Sequence, residues 1–597
     1  MHSQESSNTK ARYILITLAT FITISVAFLC MMLSRINPDK RPINLKTTKT
    51  DYSVRGSIYS NDGFSMATSE KLYKVSINPK NIFPDKLDLF INLFSIYSDI
   101  PKNVILEKIK DAKGYTTISY NIPTLKATSL KLLNSKLNQL NVFQEYEENG
   151  RVYQKMGISV EMSGYSRKYP YGDMMEPLLG YTQKLENQKI TKVIGVKGSE
   201  KGADEYLKAK KDGKAQGYRD IGFNIIANNY STQVDKKDGL DITLTIPLRL
   251  QKKLEELVDM QNQRLQAKEV LVGIMDSQSG KILSIASSQR FDPKNIKKSD
   301  YPALNLSATE MSFEPGSIIK PVIYAILLQK DLIDPTKVID LDNGVYKIGR
   351  HTIRDDHPLK SATPPQILIK SSNIGMIKLT QELSSKDFLS SLTAYGFGSP
   401  SGIDLPQEAS GVLPDVAKLK GSYKASASYG YGFRATFIQI LRAYASFSNG
   451  GLLVTPKTIE YLSNQNGERF KIKTPAPTRI ISESTAFEVQ KILQDITTKG
   501  TGRKAYVPDI KMGGKTGTAR IFIDGKYTKR YNSSFFGFAS DDKRSYTIGV
   551  VVFDPNVQEG YYGSQTAAPI FKETIELLIK EKYLKPSNTP ATPAKNN

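Results

Sequence analysis

The chain has 597 residues, enough for two to four domains, and its apolar and charged fractions of 39% and 24% are those of a folded protein. One cysteine, Cys30, and three histidines exclude a disulfide framework and leave too few soft ligands for a structural zinc site. The net charge of +23 favours an anionic partner, although a generally lysine-rich composition would give the same excess, and no nucleic-acid-binding motif accompanies it.

The first apolar run, from Tyr13 to Ser34, predicts a transmembrane helix. Its 22 uncharged residues would span about 33 Å at about 1.5 Å per residue. No small-residue cleavage site follows it, so we expect an uncleaved anchor in the inner membrane. We expect residues 1–12 to be a cytoplasmic tail and the body to be extracytoplasmic. By the positive-inside rule, the basic residues after the run argue for the opposite orientation, but this rule is weak for long translocated domains.

Residues 36–235 are predicted to form one domain of short strands and helices, including a helix within 125–143. Residues 236–585 are predicted to form a second domain, with strands at both ends and a long helical middle. Its predicted elements are a strand at 240–246, a helix at 248–265, strand pairs at 270–288 and 533–555, and a strand at 511–523. This order predicts an α+β fold whose sheet joins the first and last segments. The polar, proline-rich tail, 586–597, is expected to be disordered.

The stretch KMGGKTGTAR, residues 511–520, contains a Gly-Lys-Thr that suggests a phosphate-binding loop. That loop needs a glycine five positions before its second glycine, and five positions before Gly514 stands Asp509, whose carboxylate would repel a phosphate. The following TARIFI alternates as a strand does, whereas a phosphate-binding loop opens a helix. The pattern therefore excludes a nucleotide site here.

A candidate nucleophile and base lie in FEPGSIIKPV, where Ser317 and Lys320 are three residues apart. Positions i and i+3 of a helix share one face, so a neutral Lys320 could take the Ser317 proton. The Ser317 N–H at the helix start could donate to an oxyanion. We expect burial and the charge of Lys515 to lower the pKa of Lys320. The spacing alone is weak evidence, since Ser7–Lys10 and Ser540–Lys543 share it.

Two further short motifs supply groups that could bind a substrate or relay a proton. In IKSSNIGM, the Ser371 hydroxyl could relay a proton and the Asn373 amide could hold a substrate peptide group. In KTGT, Thr516 and Thr518 would point the same way on a strand, and Gly517 would let a substrate lie against the backbone. With the Lys515 ammonium, the two hydroxyls would form a cradle for a carboxylate.

The order Ser-x-x-Lys, Ser-x-Asn and Lys-Thr-Gly, with spacings of 54 and 144 residues, is the signature of serine transpeptidases and β-lactamases. Beyond these motifs the chain resembles the class B penicillin-binding proteins over nearly its whole length. RGSIYSNDGFSMATS, SRKYPYGDMMEPLLGY and GVKGSEKGADEYL are similar to the family's N-terminal pedestal, and YGSQTAAPIFKE to its transpeptidase domain. FEPGS and SYGYG resemble the division-specific branch. Phe437 departs from the family, which usually has proline there.

The resemblance implies a pedestal followed by a transpeptidase domain, an antiparallel sheet flanked by helices with an all-helical lobe. It implies a septal peptidoglycan D,D-transpeptidase that forms an acyl-enzyme on Ser317, is inhibited by β-lactams and needs no metal or cofactor. Further implied partners are stem peptides, the membrane, a multi-pass membrane glycosyltransferase and other division proteins, and no nucleic acid. The implied catalytic residues are Ser317, Lys320 and Ser371, and the implied substrate-binding residues are Asn373, Lys515, Thr516, Gly517 and Thr518.

Four alternative functions are considered at this stage. A non-enzymatic division scaffold would keep the fold but lose the serine or the lysine, and both are present. An elongation-specific transpeptidase would carry the same motifs. A D,D-carboxypeptidase or β-lactamase would share the motifs but transfer the acyl group to water, and would rarely carry so large an anchored pedestal. A β-lactam sensor would need more than twelve cytoplasmic residues to signal inward.

Overall fold

The computed structural model describes residues 2–34, 46–148, 151–186, 190–220 and 224–587. The chain divides into two compact units, Met1–Tyr52 with Lys211–Lys237, and Ser53–Lys210 with Asp238–Asn597. Most of the predicted disordered tail, residues 588–597, lies outside the described residues.

The first unit contains the N-terminal helix and a small sheet. The helix His2–Ser34 covers the predicted span and continues back to His2, within the predicted cytoplasmic tail. Within the described residues, Thr9–Ser34 is the one helical stretch long and apolar enough to cross a membrane, judged by length and composition. The sheet is antiparallel, with its strands in the order Lys46–Asp51, Gly213–Tyr218 and Thr232–Val234.

The N-terminal part of the second unit is built around the long antiparallel pair Ser65–Ile77 and Ile158–Lys168. The predicted helix forms at Thr124–Gln139 because Ala127, Leu130, Leu133 and Leu137 recur at helical spacing and are all buried. The other helices are Leu87–Ser98, Lys102–Ile109, Gly198–Gly202 and Asp204–Leu207, and the other strands are Ile58–Tyr59, Thr116–Pro123, Glu145–Glu148, Arg151–Gln154, Thr182–Glu186 and Thr191–Gly195.

A buried ion cluster joins three of the sequence motifs in this part. The Glu200 carboxylate is fully buried between two guanidinium groups, with Arg55 Nη2 at 2.8 Å and Arg167 Nε at 2.6 Å. Arg55, Arg167 and Glu200 come from the three segments that resemble the family's pedestal, 55–69, 166–181 and 195–207 respectively. Removing one partner would leave a buried charge uncompensated, so the three segments depend on one another for stability.

The C-terminal part contains a five-stranded antiparallel sheet, which we call the central sheet. Its first and last segments meet as predicted, since Glu269–Asp276 pairs with Ser545–Phe553. Both predicted strand pairs form, and the predicted helix forms at Leu248–Leu265. The order of its strands is Ile282–Ser287, Glu269–Asp276, Ser545–Phe553, Lys526–Ser540 and Lys511–Ile523. The strand with Lys-Thr-Gly, called here the edge strand, thus has one side free of sheet hydrogen bonds.

Both faces of the central sheet are covered by helices. The helices Leu248–Leu265 and Ala567–Lys580 enclose one apolar core with it. On the other face, Phe437 begins the helix Phe437–Ala445, and its ring fills the space left by glycines in adjacent strands. A methyl group would come within 2.5 Å of that ring at Gly273 and within 2.8 Å at Gly549. The family-atypical Phe437 is therefore a packing residue.

The remaining elements form the helical middle, several small strand pairs, and three strands that extend the sheet of Ile58–Tyr59 and Ser65–Ile77, namely Asp241–Leu244, Ile459–Ser463 and Arg469–Phe470. The helices are Ser307–Glu310, Lys320–Gln329, Pro364–Lys370, Asn373–Leu379, Ser385–Ala394, Gly421–Ala427 and Glu483–Lys499. The strands are Asp241–Leu244, Ser312–Phe313, Ile339–Asp340, Val345–Ile348, His351–Arg354, Ser361–Ala362, Ala435–Thr436, Leu452–Leu453, Ile459–Ser463, Arg469–Phe470 and Thr478–Arg479. The predicted α+β class is confirmed.

Candidate active site

Ser317 lies in a tight turn rather than in a regular α-helix. The segment Gly316–Ile319 is a 3₁₀ turn, and the Lys320 N–H donates to the Ser317 carbonyl before the helix Lys320–Gln329 begins. Side chains three residues apart are eclipsed in a 3₁₀ turn, so Lys320 lies on the same side as Ser317. Within the described chain the half-buried Ser317 hydroxyl has no hydrogen-bond partner.

Glycines hold this turn against the segment SYGYG. Gly316 has a φ of +57°, and its N–H donates to the Gly430 carbonyl at 3.0 Å. Gly430 also has a positive φ, +93°, and a methyl group there would lie 2.1 Å from the Gly316 oxygen. Only glycine fits such a contact. The resemblance had matched SYGYG without a role, and the structure shows that it supports the turn bearing Ser317.

The Lys320 amine joins the first two motifs directly. Its Nζ donates to Asn373 Oδ1 and to the Ser371 carbonyl, both at 2.7 Å, and lies 3.3 Å from Ser371 Oγ. Burial lowers the pKa of Lys320 to about 7, although the charges of Asp355 and Asp356 act to raise it. A lysine with a pKa near neutrality has a substantial neutral fraction and can accept a proton.

Asp355, which the sequence did not single out, positions the Ser-x-Asn motif. Its Oδ1 accepts from the N–H groups of Asn373 at 2.6 Å and Ile374 at 3.2 Å, and its Oδ2 accepts from the Ser372 hydroxyl. Ser371 itself adopts a left-handed conformation, with φ of 58°. The buried carboxylate thus fixes the loop that presents Ser371 and Asn373 to Lys320. An aspartate 18 residues before Asn373, in an irregular stretch, gives no sequence signal for this role.

Lys515 lies fully buried on the edge strand. Its Nζ donates to the Thr516 carbonyl at 3.0 Å and lies 3.3 Å from Thr516 Oγ1. Burial, and then the charge of Lys320, lower the pKa of Lys515 well below its usual value. We expected the Lys515 charge to lower the pKa of Lys320. Burial is instead the cause that lowers it, and the charge of Lys320 lowers the pKa of Lys515. Thr516 also bonds the Thr501 hydroxyl, at 2.9 Å.

The structure gives Gly517 a packing role. A methyl group there would lie 2.4 Å from Ser534 Oγ and 2.8 Å from Ile318 Cγ2. The glycine therefore allows the edge strand to lie close to Ser534 and to Ile318, the residue after Ser317. Beside it, Thr518 Oγ1 accepts from the Gly563 N–H at 3.0 Å. The close approach at Gly517 therefore seats the edge strand beside the Ser317 turn.

The N–H of Thr518 faces the free side of the edge strand. Two residues on, the Arg520 N–H donates to the Tyr431 hydroxyl at 3.2 Å, and Tyr431 does not belong to the central sheet. Backbone groups two residues apart on a strand point to the same side. The Thr518 N–H therefore points into the space beside Gly316, whose Cα faces Ala519 and the Thr518 carbonyl.

The geometry predicts a pH dependence of serine acylation. If neutral Lys320 accepts the Ser317 proton, the rate should rise about tenfold per pH unit below about pH 7 and level off above it. Asp355→Asn keeps an acceptor for the loop but removes a negative charge that stabilises the Lys320 ammonium. The pKa of Lys320 should then fall, and the acidic limb should move to lower pH. Second-order acylation rates measured from pH 5 to 9 test this, and a limb that stays in place would contradict it.

Comparisons with known proteins identify the domains of the chain. A model of the penicillin-binding protein transpeptidase domain matches residues 270–576, and a model of the penicillin-binding protein dimerisation domain matches residues 50–244. Stage V sporulation protein D of Bacillus subtilis is 27% identical over 549 residues, 89% of this chain and 79% of its own length. Peptidoglycan D,D-transpeptidase FtsI of Buchnera aphidicola is 27% identical over 582 residues, 96% of this chain and 95% of its own.

Solved structures share the fold. Penicillin-binding protein 2X from Streptococcus thermophilus is 20% identical with a TM-score of 0.70, covering 91% of this chain and 83% of that one. Penicillin-binding protein 3 from Mycobacterium tuberculosis, complexed with ampicillin, is 22% identical with a TM-score of 0.65, covering 91% of this chain and 99% of that one. The chain belongs to the penicillin-binding protein transpeptidase family, as a class B member of the division type.

Proposed function

We propose that the protein is a D,D-transpeptidase that cross-links peptidoglycan stem peptides in septal wall synthesis through an acyl-enzyme on Ser317. One observation carries the proposal, the position of the buried Lys320 amine. It lies beside Ser371 Oγ and Asn373 Oδ1 and on the Ser317 side of the turn, with a pKa of about 7. A serine needs such a base to become a nucleophile at neutral pH.

In the first half-reaction the Ser317 oxygen attacks the carbonyl carbon of the penultimate D-alanine, and the Ser317 proton passes to Lys320. The N–H groups of Ser317 and Thr518 hold the oxyanion. The peptide C–N bond then breaks, and the terminal D-alanine leaves as an amine after taking a proton through Ser371 and Lys515. In the second half-reaction an acceptor amine attacks the ester, and Ser317 recovers its proton.

The substrate-binding residues are assigned from the same proposed position of the donor peptide. Asn373 holds the donor amide, and Thr516 and Thr518 bind the terminal carboxylate. Arrival of that carboxylate favours protonation of Lys515, because its negative charge opposes the burial and the Lys320 charge that lower the pKa of Lys515. β-Lactams acylate Ser317 in place of the stem peptide.

A partition experiment tests the reaction type. The purified full chain is given a thioester analogue of the donor stem together with a D-amino acid as acceptor. We expect release of the thiol and an aminolysis product whose yield rises with acceptor concentration. Hydrolysis alone, with no aminolysis product at any acceptor concentration, would instead indicate a carboxypeptidase.

We further propose the orientation and limits of the domains. Residues 1–12 are cytoplasmic, 13–34 cross the inner membrane, 36–235 form the pedestal, 236–585 the transpeptidase domain, and 586–597 a terminal tail. The wall lies outside the inner membrane, so protease added to spheroplasts should digest residues 36–597. Their full protection in intact spheroplasts, with digestion after lysis, would place the body in the cytoplasm.

The pedestal is proposed to bind a multi-pass membrane glycosyltransferase of the division machinery. The pedestal contributes none of the eight site residues, yet something must place the transpeptidase domain at newly made glycan strands. A photo-crosslinking residue at exposed pedestal positions such as Leu125 or Ile96, 79% and 68% exposed, should capture this partner in dividing cells. Adducts formed only from the transpeptidase domain would contradict the assignment.

A further inference from the structure

The small antiparallel sheet of the first unit has two unlike faces. Residues paired across an antiparallel ladder point to the same face, and the faces alternate along each strand. Lys46 pairs with Tyr218, and Lys214 pairs with Val234. Because Lys214 and Tyr218 are four residues apart on the middle strand, these four side chains share one face.

The segment after the middle strand extends this face. An isolated bridge pairs Arg219 with Ile225. The Ile226 N–H donates to the Tyr218 carbonyl at 2.8 Å, so Ile226 lies opposite Tyr218 and points to the same side. The Tyr230 ring contacts the Tyr218 ring, with 6.4 Å between the centroids. We call the resulting surface the lysine–tyrosine face, made of Lys46, Lys214, Tyr218, Ile226, Tyr230 and Val234.

The lysine–tyrosine face is open, whereas the opposite face is covered by its own chain. All six side chains of the lysine–tyrosine face are exposed. On the opposite face, a methyl group at Gly217 would lie 2.9 Å from Ile225 Cγ2 and 3.1 Å from Ser231 Cβ. The one acidic strand residue, Asp51, also points to the opposite face, where its carboxylate lies 3.8 Å from Lys236 Nζ. The open face is therefore apolar, aromatic and cationic, and none of its strand positions is acidic.

The chain tethers this sheet to the apolar N-terminal helix. The helix ends at Ser34 and the first strand begins at Lys46, so eleven residues link the two. Such a linker spans at most about 40 Å. A surface tethered so closely to the membrane meets it at a high effective concentration, and a weak affinity is then sufficient for contact. Tyrosine and lysine beside apolar side chains are the residues that favour the boundary between membrane and water.

We propose that the lysine–tyrosine face binds the extracytoplasmic surface of the anchoring membrane through anionic phospholipid headgroups. Lys46 and Lys214 lie at the lipid phosphates, where a positive charge near an anionic surface is stabilised. The two tyrosine rings and Ile226 lie between the headgroups. The inference rests on the proposed membrane anchor and is independent of the acylation chemistry.

Two adjacent spin labels test this in the full chain. Thr232 points to the lysine–tyrosine face and Gln233 to the opposite face, and both are exposed on the strand Thr232–Val234. Each is replaced by cysteine, as Thr232→Cys or Gln233→Cys, together with Cys30→Ser, which removes the single native cysteine. The chain is placed in lipid nanodiscs, and the accessibility of the nitroxide to a water-soluble nickel complex is measured by power saturation.

In nanodiscs containing phosphatidylglycerol, nickel accessibility should be at least about threefold lower at position 232 than at position 233. In nanodiscs of phosphatidylcholine alone the difference should largely disappear, because the lysines then meet no net negative charge. Lys46→Gln combined with Lys214→Gln should also remove the difference. Lys49→Gln combined with Lys211→Gln is the matched control, since it removes the same charge from exposed lysines outside this face, and the difference should remain.

Equal nickel accessibility at the two positions in anionic nanodiscs would overturn the inference. A difference that persists in neutral nanodiscs, or that survives the substitution of Lys46 and Lys214, would overturn the assignment to anionic lipid. A difference that appears only after the membrane glycosyltransferase is added to the nanodiscs would assign the face to that protein instead. Failure of the chain to enter nanodiscs at all would overturn the proposed anchor, and the inference with it.

Discussion

Lys320→Arg is expected to lower the second-order rate of serine acylation by about 10²–10⁴-fold, as Lys320→Ala should. Arginine keeps a positive charge but does not release its proton in a protein, so it cannot accept one from Ser317. The larger guanidinium must also enter a space where the Lys320 side chain is fully buried. Stopped-flow measurements with a chromogenic cephalosporin provide the rate, and thermal unfolding shows whether each variant is folded.

Lys370→Ala is the matched control for this experiment. Lys370 directly precedes Ser371, yet its side chain is exposed and makes no hydrogen bond or ion pair within the described residues. Its removal should change the rate by less than about threefold. If Lys320→Arg keeps most of the rate, Lys320 acts as a fixed charge, and Ser371 becomes the candidate base.

Ser317→Ala is expected to abolish covalent labelling by a fluorescent penicillin, because no other hydroxyl lies in the turn beside Lys320. The fold should be retained, since the Ser317 hydroxyl has no hydrogen-bond partner in the described part of the chain. Labelling is measured by gel fluorescence, and the unfolding temperature should differ little from that of the unaltered protein.

Ser540→Ala is the control with the same sequence spacing, since Ser540 also stands three residues before a lysine. Ser540 lies at the end of the strand Lys526–Ser540, and its hydroxyl bonds Ser545 at 2.8 Å, away from the three motifs. Its replacement should leave labelling intact. Undiminished labelling of Ser317→Ala, or loss of labelling in Ser540→Ala, would contradict the assignment of the nucleophile.

The central sheet could be predicted because its strands carry strong local signals. The pairs at 270–288 and 533–555 are rich in valine, isoleucine and phenylalanine and are separated by polar turns, which favours hairpins. The strands Lys46–Asp51 and Gly213–Tyr218 were not predicted. Lys46–Asp51 is polar on both faces, and the more buried positions of Gly213–Tyr218 are glycine and alanine. Neither sequence therefore shows the apolar alternation that marks a half-buried strand, and the two strands are far apart in sequence.

The candidate site likewise contains some residues that could be predicted from the sequence and others that could not. Ser317, Lys320, Ser371, Asn373 and Lys515 could be proposed because their spacing within and between motifs is distinctive. Asp355 and Tyr431 could not be proposed, because their roles arise from loop packing that no local periodicity encodes. The sequence correctly predicted that burial lowers the pKa of Lys320. The acidic neighbours that oppose this shift are visible only in the structure.

Mass mapping of the penicillin adduct tests the central claim most directly. The full chain is labelled, digested, and the modified peptide sequenced by fragmentation. Formation of an acyl-enzyme on the Ser317 oxygen predicts a single adduct, on the peptide containing Ser317. An adduct on the peptide containing Ser371, or on that containing Ser540, would contradict the assignment of Ser317 as the nucleophile of this transpeptidase.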